Sequence, residues 1–187
     1  MNQLFLDARS VLDSWRAPDA RQEELRVEYL AHLERHPDAM SRSCLPGHLT
    51  ASAALLDADG ERTALTLHAK LKMWLQLGGH CEEADSSLAG AALREAVEES
   101  GVAGVRLLPV PVRLDRHAVP CGGGSWHLDV QYAAVAPPDA PLVIDSAESD
   151  DLRWFPIGEL PDSADSACRA LVAAAAARVR AETAAPR

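Results

Sequence analysis

A chain of 187 residues with 48% hydrophobic and 25% charged residues is long enough to bury a core as one domain and too apolar to be disordered. Its net charge of −10 excludes a nucleic-acid-coating protein and a binder of anionic membranes, so neither a nucleic-acid polymer nor a membrane is expected as a partner. A small phosphorylated substrate stays compatible, because bound divalent ions reverse the local field of an acidic site.

The first 45 residues read as a helical preface. Leu4, Phe5, Ala8, Val11, Leu12 and Trp15 share one face of an amphipathic helix that Pro18 ends. A second helix is expected from Asp19, its cap, to His36, with Leu25, Tyr29 and Leu33 on one side and Pro37 as its stop. The pair could pack on its own domain or form a homodimer contact, and the pattern does not choose. From Leu49 the period changes to that of two strands joined around Asp59-Gly60, a strong hairpin signal. Trp74 to Leu77 then leads into an expected turn at Gly78-Gly79, and a helix follows.

Val105 to Leu114 is apolar and interrupted by prolines, as in an edge or bent strand. A glycine loop at 120–125 precedes a strand from Trp126 to Val135, with Trp126, Leu128, Val130 and Tyr132 on one face and His127 and Asp129 on the other. Residues 137–149 form a loop long enough to be a lid. A short strand at 152–156, a turn of helix near 157–160 and an Ala-rich helix capped by Ser163 or Asp165 and reaching Thr183 complete the chain. Four cysteines, at 44, 81, 121 and 168, form no CxxC pair and are expected as free thiols. The start, MNQLFLDARS, lacks the pattern of a secretory signal and no run approaches transmembrane length, so the expectation is a cytoplasmic protein.

Chemistry concentrates in GGHCEEADSSLAGAALREAVEESGV, residues 78–102. In a helix from Leu93 to Ser100, Glu95, Glu98 and Glu99 share a face. Carboxylates crowded in this way repel one another unless a cation sits among them, and hard oxygen ligands suit Mg²⁺ or Mn²⁺. Arg94 beside them is expected to pin a glutamate by an ion pair, and Gly79 to offer its carbonyl to the metal, since a residue without Cβ lets the backbone approach closely. The bland alternative is a solvated acidic helix face.

This stretch resembles a Nudix box. Arg94, Glu95, Ala96, Glu98, Glu99, Gly101 and Val102 match the second half of the pattern in full. The first half departs from it: Asp85 lies five residues after Gly79 where the pattern has Glu, and eight residues, not seven, separate it from Arg94. The resemblance implies an α/β fold, a Nudix-type α/β/α sandwich around a mixed sheet, over residues 46–187, with residues 1–45 as a helical extension. It implies a metal-dependent hydrolase cleaving a phosphoanhydride in a nucleoside diphosphate linked to another moiety. Glu98 and Glu99 would be metal ligands, and Glu95 a further ligand or the base that orients water. The resemblance equally implies, as an alternative, a base supplied by a loop outside the box, where Glu148 is the candidate. A non-catalytic nucleotide-binding regulator is the alternative of a different class.

The histidines carry a second signal. His48, His80, and the strand pair His127 and Asp129 offer imidazoles and a carboxylate suited to an additional transition metal such as Zn²⁺ or Mn²⁺, against the plain reading of hydrogen-bonded structural histidines. The segments 48–52 and 79–80 are similar to those of type I isopentenyl-diphosphate isomerases, which implies an isomerase-like enzyme as a further alternative. The cysteine that such chemistry needs two residues before the second His is Gly78 here, and Cys81 lies on the wrong side of His80.

Overall fold

The computed structural model describes residues 2–119, 125–144 and 149–184. Helices α1 (Gln3–Ser14) and α2 (Ala20–Arg35) come first, then strands β1 (Gly47–Leu56), β2 (Arg62–His68), β3 (Trp74–Leu75) and β4 (Leu77–His80). Helix α3 (Leu88–Ser100) follows, then β5 (Arg106–Leu107), β6 (Arg113–Val119), β7 (Ser125–Val135), β8 (Ser149–Pro156) and α4 (Ser166–Ala184). The strands form one mixed sheet: β1 and β7 run parallel, and every other pairing is antiparallel.

The central strand β1 is buried along its whole length, so both faces of the sheet are covered. Alternation splits its side chains. Leu49, Ala51, Ala53 and Leu55 join the core beneath α1, α2 and α3, whereas Ala54 and Leu56 join the core beneath α4. Strand β7 divides in the same sense, with Leu128, Val130, Tyr132 and Ala134 on the α3 side and Ala133 on the α4 side. This is the three-layer sandwich expected from the sequence.

Local chemistry sets the helix ends. Asp19 accepts from the Gln22 amide at 2.9 Å and starts α2. Asp165, not Ser163, accepts from the Cys168 amide at 2.7 Å and starts α4. Gly101, at φ 66°, ends α3 in the left-handed conformation. The N-terminal helices pack on their own sheet: Tyr29 and Leu33 are buried in the same core as Leu49 and Val130. Gln22 extends this docking by accepting from the Leu114 amide at 2.6 Å and donating to the Leu114 carbonyl at 3.0 Å, so one side chain satisfies the backbone of β6 where a neighbouring strand would.

Three expectations are corrected. Gly78 and Gly79 are strand residues of β4, not a turn: Gly78 pairs with Ser52 and Gly79 with Ala51. The run from Val105 to Leu114, expected as one edge or bent strand, is split into Arg106–Leu107 and the start of Arg113–Val119, the latter held by its ladder with β7 more than by an apolar face. Residues 157–160 form a hydrogen-bonded turn, closed from the Glu159 amide to the Pro156 carbonyl, with no turn of helix. Cys44, Cys81 and Cys168 are free, and Cys121 lies outside the described residues. No helix among the described residues is long and apolar enough to cross a membrane.

Candidate active site

The acidic face of α3 lies against β4. Ser87 caps the helix by accepting from the Gly90 amide, and the Asp7 carboxylate accepts from the Leu88 amide at 2.8 Å, so α1 helps to fix where α3 begins. Leu88, Ala91, Ala92 and Ala96 are buried on the side of the helix that also carries Glu95 and Glu99, three or four residues away. The carboxylates are thereby turned toward the strand. The Glu99 side chain accepts from the Gly78 amide at 2.9 Å. Glu95 lies so close to β4 that a Cβ on Gly79 would stand 2.8 Å from Glu95 Oε1. Gly79 is therefore required by the site, and Gly78 by the fold: its φ is 154° and a Cβ there would stand 2.3 Å from the Ser52 Cβ.

Arg94 is the organising cation. Its Nε and Nη2 donate to the two oxygens of Asp85 at 3.2 and 3.0 Å, a bidentate pair, and Nη2 also donates to the His80 carbonyl at 3.0 Å. Its Nη1 donates to Glu95 and to Glu98, each at 3.0 Å. Five acceptor contacts on one guanidinium fix the loop, the strand and the helix together. Asp85 meets Arg94 despite the extra residue between them because it closes a local turn: its amide donates to the Glu82 carbonyl and its carboxylate accepts from the Glu82 amide at 2.8 Å.

The protonation balance follows from these contacts. Burial pushes Asp85 up, but the hydrogen bonds from Arg94 and the Glu82 amide outweigh it and hold the carboxyl below its usual range. Burial dominates at Glu95 and raises it, against the pull of Arg94. A partly desolvated carboxylate beside a second one gains most from a cation, so the donor set, oxygen-rich and open at the exposed Glu98, fits a hard divalent ion.

The histidines gather on the other side of the sheet. His48 and His127 are direct partners in the β1–β7 register, and His80 pairs with Thr50 one step along the same face of β1. Their ring centroids are 4.8 to 5.1 Å apart, and one nitrogen from each of the three rings lies within 4.8 Å of the others. Burial, then neighbouring histidines, hold His127 down to about 3 and lower His48, the latter against the raising effect of the Cys44 backbone. Asp129, the fourth residue of the sequence-based set, stands one step along the strand with its oxygens engaged: it accepts from Thr50 at 3.0 Å, Ser52 at 2.6 Å and Gln131 at 3.0 Å. Residues on β6 complete the neighbourhood without having been singled out. His117 faces His127 at 5.3 Å and bonds Asp115 at 2.9 Å; the signal was their two-residue spacing, hidden in a strand with no apolar rhythm.

Glu148 lies outside the described residues. Of the aromatic side chains near the sheet's strands that could stack on a base, Tyr132 is fully buried and unavailable. Trp126 is partly exposed, with the Arg116 guanidinium 3.9 Å above its ring, and Trp74 packs edge-on to Phe155. The Cys81 thiol is pushed up to about 12 by burial and then by Asp85, which removes it as a ready thiolate.

An α/β/α sandwich with a carboxylate-rich helix laid across a glycine strand and locked by one arginine defines a class of phosphoanhydride-cleaving domain. The NUDIX domain model matches residues 46–175, and the chain belongs to that family of hydrolases. Its fold is similar to that of a NUDIX-family hydrolase from Clostridium perfringens, at 23% identity over 74% of this chain and 99% of that one, TM-score 0.58. It is similar also to a C. elegans Ap4A hydrolase, at 14% identity over 71% and 98% of the two chains, TM-score 0.59. A third similar fold is the NUDIX domain of Shewanella oneidensis NrtR, solved with ADP ribose, at 22% identity over 82% and 97%, TM-score 0.56. No curated protein sequence matches the chain.

Proposed function

We propose that this protein hydrolyses a phosphoanhydride bond in a nucleoside diphosphate linked to a second moiety, with Mg²⁺ or Mn²⁺ held by Glu95, Glu98, Glu99 and the Gly79 carbonyl. The observation that carries the reading is the convergence of Glu95 and Glu98 on one nitrogen of Arg94, with Glu99 and Gly79 alongside. When bound, the ion supplies charge neutralisation of the diphosphate and a lowered pKa for water. Arg94 holds Asp85 and so fixes the loop that carries the glycine strand into α3. Glu95, whose proton affinity burial raises against the pull of Arg94, serves either as a further ligand or as the base that orients the water; Glu148 is the alternative base. The ADP ribose and Ap4A named for the similar folds support a substrate in which at least two linked phosphates join a nucleoside to a second moiety. Residues 46–187 carry the catalytic domain in this proposal, and residues 1–45 buttress it through Asp7, Gln22 and Tyr29.

The test is turnover of a panel of nucleotides, dinucleotides and nucleotide sugars with Mg²⁺ and Mn²⁺, products identified by mass. The double variant Glu98→Gln, Glu99→Gln should lose at least about 10³-fold in kcat, or about 4 kcal/mol of barrier. Wild-type turnover in that variant would overturn the assignment of the ligands, and tight nucleotide binding without turnover in the native protein would make it a regulator.

A further inference from the structure

We propose that His48, His80 and His127 form a transition-metal site of the Zn²⁺ type, separate from the carboxylate site and on the opposite side of the sheet. Three observations carry it. The first is assembly: residues from three strands are set side by side by the β1–β7 and β1–β4 registers, so that three imidazole nitrogens lie within 4.8 Å of one another. Zn–N bonds of about 2.0 Å would draw them only modestly closer, a change that ring rotation supplies without moving the sheet.

The second is an unmet need. Among the described residues, neither ring nitrogen of His48, which is 1% exposed, makes a hydrogen bond of ordinary geometry, and Nε2 of His127 makes none. Buried polar atoms are almost always partnered, and one ion at the centre of the three rings would satisfy a nitrogen on each of His48 and His127 at once. The third is support around the rings. Asp129, directly beside His127 on the strand, is saturated by Thr50, Ser52 and Gln131, so it stiffens the strands that present the histidines and is not drawn into the ligand set. His117, its Nδ1 occupied by Asp115, stands beside His127 at the edge of the cluster.

The chemistry selects the ion. Imidazole donors suit Zn²⁺, Co²⁺, Ni²⁺ and Cu²⁺ and not Mg²⁺, which prefers oxygen; three protein ligands leave a position for water or a substrate atom. The separation from the carboxylates follows from the pleat. Gly79 and His80 are consecutive on β4, and Gly79 faces Glu95, so His80 leaves the strand on the other side.

The experiment uses the full chain, stripped with a chelator and titrated with Co²⁺ in excess Mg²⁺, reading visible absorption and bound metal per chain. The expected result is one Co²⁺ per chain with a nitrogen-ligand spectrum, displaced by Zn²⁺. Uptake should be kept by the Glu98→Gln, Glu99→Gln variant and weakened at least tenfold in His48→Ala, His127→Ala. Because His48 is buried, His80→Gln at a partly exposed position serves as a second variant, with the same loss expected in a chain whose circular dichroism is native. Failure of the native chain to take up Co²⁺ or Zn²⁺ in excess Mg²⁺, retention of uptake in the histidine variants, or its loss in the glutamate variant would each overturn the proposal. None of these outcomes bears on hydrolysis by the carboxylate site.

Discussion

The two polar clusters of this protein stand back to back across one strand and are built on opposite principles. On the α3 side, charge is balanced within the protein: Arg94 satisfies Asp85, Glu95 and Glu98 together. On the α4 side, three imidazole rings face one another, and among the described residues ring nitrogens of His48 and His127 make no hydrogen bond of ordinary geometry. The first arrangement is balanced by its own arginine. The second gains little from its own members, so its stability depends more heavily on what enters it. The comparison separates a site that the chain can hold ready from one that it can only frame.

The largest expected effect is at the residue between them. Gly78→Ala forces a Cβ into Ser52 at an unfavourable φ, and strain plus overpacking should cost about 4 kcal/mol in urea unfolding. Loss of that size should damage both sites, and an unchanged midpoint would show that β4 shifts freely. Next is Arg94→Ala, which leaves the nearly buried Asp85 and Glu95 without their cation and should cost about 3 kcal/mol. It should also lower turnover while leaving metal uptake at the histidines intact; loss of that uptake would tie the two clusters into one.

The same contrast explains what the sequence disclosed. Glu95, Glu98 and Glu99 were legible because a single helix places residues three and four apart together, so the cluster is contiguous in the chain. Asp85 was not, since its pairing with Arg94 depends on a local turn that absorbs one extra residue. The fold's layers were readable from the apolar periods of α1, α2, β1 and β7. Strand β6 was not, because its Asp115, Arg116 and His117 owe their strand state to hydrogen bonds with β7. Histidine residues 48, 80 and 127 were recognisable as residue types, but their meeting depends on two registers that no local pattern encodes. Gly78 and Gly79 show the reverse error: a pair that reads as a turn is a strand whose neighbours leave no room for side chains.

A smaller effect distinguishes ligand from support on the α4 side. Asp129→Asn keeps the shape but replaces an acceptor oxygen by a donor facing Thr50, Ser52 and Gln131, at a cost of about 1.5 kcal/mol. Metal uptake at the histidines should change less than threefold. A loss comparable to that of the histidine variants would make Asp129 a ligand.

The smallest effect uses a histidine outside the cluster, one whose ring is hydrogen-bonded to a backbone carbonyl. His32 is buried where α2 meets β1, and its Nε2 bonds the Gly47 carbonyl at 2.9 Å. Burial lowers its pKa, the Gly47 bond opposes that, nearby His36 and Arg35 lower it further, and Asp38 raises it. The ring therefore binds a proton less readily when folded than when unfolded. Its contribution to stability is complete above the unfolded value near 6.5 and is lost as pH falls from there through the folded value. His48 and His127 change in the same sense, so the native curve alone does not assign the loss. In His32→Gln, whose amide can still donate to Gly47, unfolding free energy measured from pH 7.5 to 5 should fall less steeply than in the native chain. Identical slopes for the two proteins would assign the whole acid dependence to other groups.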